Sequence, residues 1–235
     1  MEPINRESKT SIYFSVTYVL AVQWVPEKQK ALEFQKALLD NGLDFSQTNM
    51  AASKYTLFRP EQSPLRVVIE SNGPQVSSLH IISQKPTYDL SMFTMDAGAV
   101  CSAFQQAWPA DQYQVVRQAA KIHHLYSCNT HAFSFLWEKR LGQSPEDFKA
   151  LGGIPVAGGG LRLVMPPFNK EGQEPRSIEV RIESFMRETN KMFIETAVVW
   201  PKPVFVKSGE NFEPGELMEQ VEGYATNEVW NFLTG

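Results

Sequence analysis

The residues best suited to chemistry stand in one short segment, His123-His124-Leu125-Tyr126-Ser127-Cys128-Asn129-Thr130-His131, which holds three of the four histidines and one of the two cysteines. Imidazole and thiolate are the usual ligands of zinc, and a thiolate activated by an imidazole is a nucleophile. Secondary structure decides which of these side chains meet. On a strand, His124, Tyr126 and Cys128 share one face and His123 points to the other. On a helix, His124, Cys128 and His131 align at i, i+4 and i+7. Neither register supplies four ligands, and no second Cys or His pair stands elsewhere at metal-site spacing. Zinc on His124, Cys128 and His131 is therefore the alternative, behind a reading that requires no cofactor. Cys101 sits among Ala, Val and Ser on an expected helix, where a cysteine serves as a small buried hydrophobe.

Other groups offer weaker chemistry. Glu70 and Glu183 occupy matching places in a repeat described below, and two carboxylates facing each other can share a proton or bind a cation. Glu195 falls on a strand as well. Arg162, Arg176, Arg181 and Arg187 interleave with Phe185 and Phe193, a pattern by which sheets stack bases and meet phosphates. No RNP-like sequence accompanies them, and Glu179, Glu183, Glu188 and Glu195 dilute the charge, which argues against nucleic acid as a partner. Gly152-Gly153 and Gly158-Gly159-Gly160 precede a strand, whereas the P-loop and the dinucleotide motif both lead into a helix. A flexible connection is expected there. Gly-x-Ser-x-Gly is absent. Arg162, Arg181, Glu70 and Glu183 remain as the ligand-binding candidates.

The elements that must position these residues repeat. Val67-Val68-Ile69-Glu70-Ser71 returns as Val180-Arg181-Ile182-Glu183-Ser184, and each copy is followed by a turn, an apolar run and a Lys-Pro pair, Lys85-Pro86 and Lys202-Pro203. Two copies are too few for a solenoid and imply a body with pseudo-two-fold symmetry. The first copy reads as a strand over 12–25 stopped by Pro26, a helix over 27–41, strands over 55–59, 65–71 and 76–83, and a helix over 95–108. The second reads as a strand over 114–128, a helix over 132–141 continuing through 145–151, strands over 161–165, 177–185 and 192–200, and a helix over 216–233. Residues 112–127 also fit a helix; the repeat selects the strand. The expected fold is α+β: two tandem strand-helix-three-strand-helix units, residues 12–110 and 111–235, packed as one body, with residues 1–11 as an N-terminal tail. Their antiparallel sheet carries helices on one face, which leaves the other open.

Composition sets the outer bounds. With 235 residues, 43% hydrophobic and 20% charged, the chain matches a globular protein. A net charge of −4 provides no overall attraction to nucleic acid or to an anionic membrane. Two cysteines are too few for a disulfide framework and fit a reducing, cytoplasmic setting. The apolar run 11–25 is short for a membrane span and is flanked by Glu2 and Glu7, so a strand is preferred to a signal core or a span.

Ile12-Tyr13-Phe14, Val22-Gln23-Trp24-Val25-Pro26 and a helix ending in Asn41-Gly42 resemble the opening of a sporadically distributed bacterial family of roughly this length. The likeness continues through Leu79-His80-Ile81-Ile82-Ser83, Tyr88, Lys121-Ile122-His123-His124 and the terminal helix. That family has no assigned biochemical function. The resemblance implies an arginine in each unit's first strand, where this chain has Gln23 and His123. The functional expectation is a non-catalytic interaction or ligand-binding protein that uses the open sheet face or the groove between units, with a protein or small-molecule partner. The alternatives are a metal-dependent or Cys/His enzyme centred on residues 123–131 and a nucleic-acid binder on the second unit's sheet.

Overall fold

The computed structural model describes residues 4–24, 27–59, 64–168, 172 and 174–235. β1 (Ile4–Leu20) leads to α1 (Lys28–Asp40), then to β2 (Gln47–Ala51), β3 (Lys54–Arg59), β4 (Leu65–Gly73), β5 (Val76–Gln84) and α2 (Leu90–Ala107). β6 (Gln112–Cys128) opens the remainder, followed by a short α3 (Ala132–Ser134) that continues as a π-helical turn over Phe135–Arg140, and by a 3₁₀ helix over Pro145–Leu151. β7 (Gly160–Met165), β8 (Ser177–Ser184), β9 (Lys191–Trp200) and β10 (Val204–Lys207) precede α4 (Pro214–Thr226) and α5 (Glu228–Thr234).

Local chemistry explains the boundaries. α1 stops at Asn41-Gly42, where Gly42 takes φ 78° and the chain folds back to bond Leu43 N–H to the Leu38 carbonyl. α2 starts where the Asp89 carboxylate accepts the Met92 N–H at 3.0 Å. Gly160 is required by packing, since a Cβ there would sit 2.2 Å from the Ile182 carbonyl oxygen.

The strands form one antiparallel sheet in the order β2-β3-β4-β5-β1-β6-β9-β8-β7, with β10 pairing the start of β6 beyond β9. Counted outward from the central β1–β6 pair, one side runs β5, β4, β3, β2 and the other β9, β8, β7. Period-two alternation separates the faces. The cross-strand row Leu57, Val67, Ile81, Val16, Ala120, Val198, Ile178 is buried throughout and belongs to the core. α2 packs over β1 and β5, and α4 over β1, β6 and β9. The neighbouring row Thr56, Val68, His80, Thr17, Ala119, Val199 points to the other face. No helix among the described residues is long and apolar enough to cross a membrane.

Several boundaries differ from the sequence reading. Residues 4–11, expected as tail, belong to β1: the polar stretch has no apolar alternation, and tertiary contacts hold it, with Arg6 donating to the Thr226 carbonyl and covering the Trp230 ring and Lys9 meeting Glu222. β1 ends at Leu20, and the expected stop at Pro26 lies outside the described residues. β2 and β10 are additional strands. The terminal helix is broken at Asn227 into α4 and α5.

Candidate functional site

β6 sets the site, because its two adjacent histidines leave on opposite faces. His123 lies on the open face, stacked on Tyr13 with ring centroids 4.4 Å apart and edge-on to Phe193 at 5.2 Å. A register shift between Ser11 and Tyr13 on β1 places Tyr13 opposite His123 and Ser11 opposite His124. Glu195, directly across on β9, brings a carboxylate oxygen within 2.8 Å of His123 Nε2. The approach is off the line of a full hydrogen bond, so this is a close polar contact. Lys121 Nζ stands 3.4 Å and Arg181 Nη1 3.9 Å from the same carboxylate. The His123 contact, reinforced by Lys121 and opposed by burial, holds Glu195 at about 2.

The row continues outward. Arg181, opposite Glu195 on β8, donates to Glu183 at 2.8 Å, and Arg162, opposite Arg181 on β7, grips Glu179 in a two-pronged contact at 2.7 and 3.0 Å. The structure thus gathers Arg162, Arg181 and Glu183 on one part of the open face. Glu70 does not join them. Its partner is Lys54 at 3.5 Å, and five strand spacings, roughly 24 Å, separate β4 from β8. Glu70 and Glu183 therefore do not face each other, because β4 and β8 lie on opposite sides of the sheet centre. Arginines already balanced by glutamates also make no basic stripe for a polyanion.

The first half of the open face has different chemistry. His80 on β5 is held by Thr17 Oγ1 at 3.0 Å and Ser78 Oγ at 2.7 Å, and Ser78 in turn accepts from Asn72 at 3.0 Å. Burial lowers the His80 pKa, which favours the neutral ring.

On the helix side His124 is fully buried, with Nε2 3.0 Å from Glu222 on α4, again off the hydrogen-bond line. Burial pushes the Glu222 carboxyl up, but His124 and Lys9 more than offset it and hold it at about 2. Cys128 shares this face, yet four residues along a strand separate it from His124 by roughly 13 Å. His131 follows the strand's end. The metal trio is not assembled, because its alignment required a helix where β6 is a strand. Among the described residues no three His, Cys, Asp or Glu side chains form a group able to hold a metal. Both cysteines are free and buried; burial raises both thiols, Cys128 to about 11, which suppresses the thiolate a nucleophile needs. Gln23 lies in an exposed turn after β1.

Tyr13, Thr17, Lys121 and Glu222 escaped the sequence reading. For Tyr13 and Lys121 the signal was available in period-two alternation along β1 and β6; for Glu222 no local pattern existed. No family model, no curated protein and no solved structure matches this chain.

Proposed function

We propose that this chain is a non-catalytic binding protein made of two tandem units about a pseudo-two-fold axis, with the open sheet face as its binding surface. Strand order supports the duplication: β4 and β8, which carry the repeated Val-Val-Ile-Glu-Ser and Val-Arg-Ile-Glu-Ser, each lie two strands out from the central pair. Register supports it too. Val67 leads through Ile81 to Val16, and Val180 through Thr196 to Ile122. Matching Val16 to Ile122 and Phe14 to Ala120 makes the pairs Val16–Ala120 and Phe14–Ile122 exchange about Ser15–Lys121.

The observation that carries the binding reading is the row Tyr13, His123, Glu195, Arg181 on the face opposite the helical layer. Charges of both signs are fixed there beside aromatic rings. Such a surface suits a partner with both apolar and charged groups, a protein segment or a small zwitterion, better than a polyanion.

The test is recovery of the tagged chain from its own host, compared with a Lys121→Ala/Arg181→Ala variant whose folding is verified by circular dichroism. A species bound stoichiometrically to the parent and lost from the variant is the expected result. Identical bound species would refute the open face. Metal analysis of untagged protein addresses the alternative, since stoichiometric zinc would return His124 or His131 and Cys128 to the centre.

A further inference from the structure

β7 ends the sheet, and among the described residues its only ladder partner is β8. It differs from β2, the opposite edge, in three ways. β2 is exposed throughout and mostly polar, an edge that discourages pairing. β7 reads Gly-Leu-Arg-Leu-Val-Met, with Val164 61% and Leu163 36% exposed, and its one charge, Arg162, is engaged by Glu179. Next, the layer over β7 is incompletely filled: Leu163, Met165, Tyr224, Val229 and Phe232 line a cavity of about 170 Å³ whose walls carry no charge. This pocket is partly open to solvent, and its apolar walls suit an apolar group. Finally, β2 lies outside β3 in the first half, while no described strand lies outside β7 in the second.

We infer that β7 is a dimerisation edge, to which β7 of a second copy of this chain adds in antiparallel fashion with Leu163 facing Leu163 on the two-fold axis. Residues opposite each other in an antiparallel pair share a face, so a symmetric register centres on a residue. Centring on Arg162 sets like charges directly opposite, which is unfavourable. Centring on Leu163 places Leu161 against Met165 on the helix side and Arg162 against Val164 on the open side. The incoming Leu161 then stands at the cavity beside Met165. Pro166-Pro167 ends the ladder, because neither can donate to it. Only the comparison with β2 rests on the tandem-unit reading; composition and cavity stand without it.

Sedimentation velocity of the untagged chain over a concentration series tests this. The parent should show a monomer–dimer equilibrium. Val164→Lys, at an exposed position, sets Lys opposite Arg162 of the second copy twice and should weaken the dimer about tenfold or more with an unchanged circular dichroism spectrum. Under mild oxidation Leu163→Cys should form a linked dimer faster than Val164→Cys, because only residues on the axis lie directly opposite, within disulfide reach. A parent that is monomeric at every concentration overturns the inference and leaves the edge to a strand of another protein. So does a Val164→Lys dimer as tight as the parent's, or equal cross-linking of the two cysteine variants. Lys121→Ala/Arg181→Ala should leave the dimer intact, so loss of open-face binding and loss of the dimer are separate results.

Discussion

His123 and His124 are neighbours in the chain, and each meets a glutamate held at about 2. One pair lies on the open face beside Lys121 and Arg181, with His123 partly exposed and Glu195 buried among its neighbours. The other is enclosed between β6 and α4, where it ties the sheet to the helix and to the start of β1 through Lys9. The chemistry is the same and the face decides its use. A polar pair on an uncovered face keeps one partly exposed member, while the same pair under a helix becomes part of the packing.

The sharpest way to break this comparison is His124→Ala. It leaves a cavity under α4 and removes one partner of Glu222, for an expected loss of about 2–4 kcal/mol in urea unfolding. His123→Ala should cost clearly less; equal losses would show that the two faces are not energetically distinct. Acid provides the second test. Both glutamates have folded pKa values below the unfolded value of about 4.3, so their contribution is complete above that pH and is lost as pH falls toward about 2. Glu222→Gln and Glu195→Gln should each flatten stability against pH in this window. An unchanged profile would mean that the contacts are not maintained in solution.

A smaller effect is expected for His123→Gln, about 0.5–1.5 kcal/mol, since the Tyr13 stack is lost from a position only partly exposed. A double-mutant cycle with Tyr13→Leu measures that coupling, and additive losses would remove the stack from the account. Arg162→Ala should leave the unfolding midpoint unchanged, because its pair with Glu179 is solvent-exposed.

The division between the two histidines was legible in the sequence once residues 114–128 were read as a strand, because period two sends neighbours to opposite faces. The Val-Ile-Glu-Ser repeat selected that strand over an equally apolar helix. Their partners were not legible: Glu195 was visible as a strand carboxylate, but only the register of β9 against β6 places it beside His123. Glu222 comes from a helix whose docking no local pattern encodes. β2 lacks a buried face and so lacks alternation, and the polar start of β1 is a strand only because β6 and α4 receive it.

The long β1–β6 pairing has a consequence for synthesis. β1 leaves the ribosome before β6, and one whole edge of it has no ladder partner until β6 emerges, about 5–20 s later at ordinary elongation rates. During that interval the chain carries an exposed apolar strand, the kind of segment on which aggregation begins. Slow non-local closure of this ladder should set the pace of folding, and anything that shields β1 while β6 is still being made should raise the yield of native protein.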